Sequence, residues 1–140
     1  MKKILILLLV VFMVASVAYA QKAMKIAAKD LPALKGTWEG MLNFTSPDVN
    51  CPVKLEILND AVPVKGKITI SNVPEQITQQ LGTMGGTKVA ENNEGKITTQ
   101  GTIMWAGDKN FFEVFLKGKN KMDGWFYWNG ARGTVDFTKK

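Results

Sequence analysis

Chemistry near neutral pH usually leans on histidine as general base or metal ligand, and this 140-residue chain contains none. That removes any Ser-His-Asp or Cys-His arrangement and the usual zinc site. Ser46 and Ser71 lie in turn-like stretches without a G-x-S-x-G motif, and Cys51 has no activating base beside it. A glycosidase needs two carboxyl groups close in space and of different pKa. Glu39, Glu113 and Asp136 qualify by number, but strand alternation turns all three outward, as solvated charges among polar neighbours. The stretches "ENNEG" and "AGDKN" offer acid and amide oxygens without calcium-loop spacing and read as turns. The chemistry-bearing residues thus point to a non-catalytic protein with neither cofactor nor metal.

The aromatic residues carry more information. "DGWFYWNGARGTVDF", 123–137, holds four consecutive rings, and "FFEVFLK" precedes it. Pairing Leu116 with Met122 across the "KGKNK" turn sets Phe111 opposite Tyr127, Glu113 opposite Trp125 and Phe115 opposite Asp123 on one face. Phe112, Val114, Leu116, Phe126 and Trp128 fall on the other. Both faces of the hairpin are therefore apolar, and the outward Phe111, Phe115, Trp125 and Tyr127 make a patch of the kind that marks a partner, ligand or membrane contact. Its competitor is a patch covered by the N-terminal segment through Met24, Ile26 and Leu31. Lys117, Lys119 and Lys121 form a solvated turn tip.

These residues need a scaffold. Lys2 and Lys3, an apolar run over 4–17 and Ala18-Tyr19-Ala20 read as a bacterial signal peptide over 1–20, so the product is expected in the periplasm or secreted. Its removal leaves net charge near +4. That mild excess, outside the cytoplasm, does not suggest nucleic acid. After cleavage no remaining apolar run is long enough for a transmembrane span. The single cysteine excludes an internal disulfide and reads as a small buried thiol.

Residues 21–34 form a polar, Ala-rich lead-in, and from 35 to 140 the hydrophobic period is two. Trp38, Leu42 and Phe44, then Val53, Leu55 and Ile57, then Ile68 and Ile70, Ile103 and Trp105, Val135 and Phe137 share inward parity. Gly40, Gly66, Gly101 and Gly124 fall on the same parity, where a strand bends around a corner. Short Gly, Asn, Asp and Pro turns separate the strands. Only "PEQITQQLG", 74–82, reads helical, and "TMGGT" after it reads as a loop. The fold class is all-β: an antiparallel up-and-down barrel of about eight strands with one short helix.

Gly36-Thr37-Trp38 on the first strand resembles the opening of the calycin-like barrels, lipocalins and fatty-acid-binding proteins. In that superfamily a Trp closes the barrel base and a late basic residue packs across it, a role the resemblance gives to Arg132. The chain is also similar to small secreted bacterial domains found alone or ahead of serine hydrolase domains. Trp38-Glu39-Gly40-Met41-Leu42, Gly66-Lys67-Ile68 and Met122-Asp123-Gly124-Trp125-Phe126 carry that likeness. The lipocalin C-terminal helix and the Arg-x-Tyr clamp of fatty-acid-binding proteins are both missing.

The first functional reading is a small apolar ligand in the barrel mouth, lined by Trp38, Trp105, Phe112, Phe126 and Trp128 with Arg132 as polar handle. The second is a protein or envelope interaction module using the outer patch, including a homodimer through the 111–127 hairpin. The large inward rings favour a filled core, and the inward glycines favour some free space.

Overall fold

The computed structural model describes residues 24–81 and 86–140, and the side chains of all but 79–81 and 86–92 among them. The expected signal peptide lies outside the described residues, as does most of the "TMGGT" loop.

Eight strands form one closed antiparallel barrel in sequence order: β1 (Gly36–Thr45), β2 (Asp48–Ile57), β3 (Val64–Val73), β4 (Gly86–Ile97), β5 (Ile103–Ala106), β6 (Asn110–Gly118), β7 (Lys121–Trp128) and β8 (Ala131–Lys139). The barrel closes because β1 pairs with both β2 and β8, with Trp38 opposite Lys139 and Phe44 opposite Gly133 at the seam. An amphipathic sheet of this length without covering helices buries its apolar face by curling onto itself. The predicted parity holds: Trp38, Leu42, Phe44, Leu55, Ile103, Val114, Phe126 and Phe137 are all buried. So does the β6–β7 register, which pairs Leu116 with Met122, Phe111 with Tyr127, Glu113 with Trp125 and Phe115 with Asp123.

The curvature leaves its mark at Gly124. A Cβ there would sit 1.9 Å from the Glu113 carbonyl oxygen, so only glycine lets β7 approach β6 that closely. Gly101 differs from expectation. It sits in the β4–β5 turn with φ +77°, pressed against Lys25, rather than on an inward strand position. "ENNEG" also differs, since all five residues belong to β4. Alternation failed there because this strand pairs with β3 through a register shift and has Gly95, not a large apolar residue, beneath the core.

Both barrel ends are covered. A 3-10 turn, Ala28–Asp30, runs into the single helical turn α1 (Leu31–Leu34), whose Leu31 and Leu34 are buried with Ile26. The Ile26 N–H donates to Gly101 O at 2.8 Å and the Met24 N–H to Leu116 O at 2.9 Å, so this segment crosses the base. It therefore closes an end of the barrel instead of covering the outer patch, and Met24 remains 55% exposed. At the other end the expected short helix, α2 (Glu75–Leu81), links β3 to β4; its Ile77 is fully buried and it packs near β8.

Candidate functional site

The rings that point into the barrel and those on the outer face of β6 and β7 meet different fates. Inside, the Trp38 indole N–H donates to Leu34 O at 2.8 Å and the Trp105 N–H to Val64 O at 2.9 Å, which satisfies both buried donors with backbone carbonyls. Phe126 is edge-on to Phe44, with centroids 5.0 Å apart, and stacks on Phe112 at 5.8 Å. Trp128 is half-buried against this cluster. Cβ atoms on Gly66 and Gly95 would come within 2.8 and 2.6 Å of the Trp105 ring, so the space those glycines leave is already filled by indole. Trp38, Trp105, Phe112 and Phe126 are thus brought together as core, the close packing expected of a protein interior.

Arg132 does not join them. Val135 and Phe137 point inward along β8, so Arg132 points outward, opposite Tyr127, and it is exposed. It neither reaches the barrel interior nor packs on Trp38. The residue over the Trp38 ring is Lys139, with its Nζ 5.8 Å from the ring centroid and also donating to Ala33 O. Lys139 continues the inward parity of Val135 and Phe137. That position, the one charge on an apolar series, was the available signal.

Outside, Trp125 and Tyr127 remain 43% and 38% exposed. Tyr127 lies near-parallel to Phe111 with centroids 6.1 Å apart, and Trp125 is tilted over Phe115 at 5.7 Å. Glu113 lies between these pairs, not as a merely solvated charge: its Oε2 accepts the Trp125 indole N–H at 2.8 Å, and its Oε1 the Thr102 hydroxyl at 2.6 Å. The Thr102 hydroxyl in turn lies 2.6 Å from that of Thr98. This chain fixes the orientation of the exposed indole. Sequence reading passed over it because Thr98 and Thr102 are on the β4–β5 connection, distant from the patch in the chain.

Beside the rings lies an open groove of about 370 Å³, lined by Thr45, Phe111, Trp125, Tyr127, Arg132 and Thr134 together with Phe126 and Gly133. Gly133 is placed by the seam, where a Cβ would strike Asn43 O at 1.9 Å. The Thr45 hydroxyl donates to Arg132 O at 3.0 Å and fastens β1 to β8 at the groove's edge. Arg132 pairs with no carboxylate among the described residues.

The acids on this side of the barrel are engaged. Asp123 and Asp136 face each other across β7 and β8; the first is 2.9 Å from Lys117 Nζ, and the second accepts from Asn43 Nδ2 at 3.3 Å. Glu39 pairs with Lys140 at 3.2 Å. Cys51 is fully buried, and burial pushes its thiol up to about 11, a reluctant nucleophile. Among the described residues no group of three or more His, Cys, Asp or Glu side chains could hold a metal ion. No described helix is long and apolar enough to cross a membrane. No protein-family model, curated protein or solved structure matches this chain.

Proposed function

We propose that this chain is a non-catalytic binding module that takes its ligand on the outer groove of β6, β7 and β8, in the periplasm or outside the cell, as the signal-like leader suggests. The observation that carries this reading is the exposure of Trp125 and Tyr127 beside the exposed Arg132, in a concave site whose indole is held in place by Glu113. An oriented side chain spends less entropy on binding than a free one. The alternative, an apolar ligand inside the barrel, draws weaker support, because Trp105 fills the space above Gly66 and Gly95 and the described segments cover both ends. Kinship with the calycin-like barrels, including those ahead of serine hydrolases, belongs to this proposal as a likeness of architecture, and architecture alone does not fix a ligand.

The four indole N–H signals in a proton–nitrogen NMR spectrum test the location. Fatty acids from octanoate to oleate should leave Trp38 and Trp105 unmoved and the melting midpoint unchanged. A shift of those two signals with thermal stabilisation moves the site into the barrel and sinks the groove reading.

A further inference from the structure

Resting on the groove as the binding site, we infer that its occupant is an oligosaccharide bearing a single carboxylate, held by Arg132 at one end and by ring contacts along the rest. Three features argue for this class. The groove offers ring surface from Phe111, Trp125 and Tyr127 with the Thr134 hydroxyl between β7 and β1, a mixture that suits the apolar faces and hydroxyl rims of sugar rings. Its one cation, Arg132, has no anionic partner among the described residues, and an exposed guanidinium binds a carboxylate through two parallel hydrogen bonds.

The charge on this face is also polarised. Asp136 lies four residues along β8 from Arg132, roughly 13 Å at ~3.3 Å per residue, and Asp123 stands opposite it. An anion is welcome at the Arg132 end and less so at the other, where Lys117 offsets only Asp123 and the carboxylates of Asp123 and Asp136 keep lone pairs for hydroxyl donors. A ligand with its acid at one end and neutral hydroxyl-bearing units behind it matches that order; a uniformly anionic polymer does not. A peptide fits less well, because under the groove β7 is paired along its length with β6 and β8, and β8 with β7 and β1, so these strands offer no free backbone ladder to an extended chain.

The test titrates the full protein to millimolar ligand with three probes: aldotetraouronic acid, which carries one glucuronate on a xylotriose; neutral xylotetraose; and N-acetyl-trialanine with its free carboxylate. The expected result is movement of the Trp125 indole signal, not of Trp38 or Trp105, with the acidic sugar binding about tenfold tighter than the neutral one. Arg132→Gln should bring the ratio of acidic to neutral sugar affinity from about ten to about one, while Arg132→Lys, which keeps the charge but loses the fork, should give a ratio in between. Equal binding of acidic and neutral sugars, or indifference to Arg132→Gln, overturns the carboxylate assignment and leaves the groove standing. Preference for the peptide overturns the sugar assignment in the same way. A Trp125 signal silent to all three overturns this inference, whereas the groove itself falls only if Trp38 and Trp105 respond to the lipids.

Discussion

The inner rings of the barrel and the outer rings of the β6–β7 hairpin belong to one closed sheet, yet only the inner set is consumed by folding. Trp105 is enclosed by the barrel, and its N–H meets a backbone carbonyl that the fold supplies in any case. Trp125 is 43% exposed, and its N–H meets a carboxylate that is itself held by Thr102. A buried indole needs an acceptor or the fold loses stability. An exposed one could have used water, so the Glu113 and Thr102 chain governs the orientation of Trp125 more than the stability of the barrel.

The sharpest way to break the comparison is to remove one ring from each side. Trp105→Ala should cost about 3–5 kcal/mol, measured as a fall in the urea midpoint, because a cavity opens over Gly66 and Gly95 and Val64 O loses its donor. Gly124→Ala probes the backbone on which both sets depend. Forcing a methyl group against Glu113 O should destabilise by about 3 kcal/mol, and a loss below about 0.5 kcal/mol in the same titration would show that β6 and β7 part easily.

Cys51 extends the test to a buried group away from the hairpin. Its thiol is shifted up from 9.0 to about 11 by burial. Between those values the unfolded chain gives up a proton that the folded chain keeps. Stability should therefore be level below about pH 8.5 and fall as pH rises towards 11, by no more than about 1.4 kcal/mol per pH unit from this group. Cys51→Ala should flatten that decline, and the native thiol should resist iodoacetamide at pH 8. The smallest effect belongs to the outer ring: Trp125→Ser should change stability by under about 1 kcal/mol. A larger loss would place Trp125 with the core and erase the distinction.

Period two made most of the barrel legible from sequence. It divided Trp125-Phe126-Tyr127-Trp128 into two faces and set the hairpin register, because one slip would have put Phe112 and Val114 in water. β4 escaped because Glu91-Asn92-Asn93-Glu94 carries no apolar alternation; pairing with β3 and β5, not its own pattern, makes it a strand. Arg132 was misplaced for a different reason. The parity of Val135 and Phe137 already turned it outward, and the likeness to barrels with a basic residue over a tryptophan outweighed that count. The same parity would have found Lys139, hidden at the end of the chain as one of two ordinary-looking lysines. At the candidate site the aromatic patch could be read in advance. The groove could not, since Thr45 reaches Arg132 only once the barrel has closed.

The seam between β1 and β8 has a consequence in time. Trp38 and Lys139 lie about a hundred residues apart in the chain, yet they face each other in the finished sheet. Until the nine residues of β8 dock, β1 and β7 each have one side of their backbone donors and acceptors open to any passing strand. Closure joins the most distant partners and carries the largest loop entropy, which makes it the step expected to limit folding. During that interval the groove does not yet exist, because Arg132 and Thr134 arrive only with the last strand; the capacity to bind is acquired at the same moment as protection from self-association.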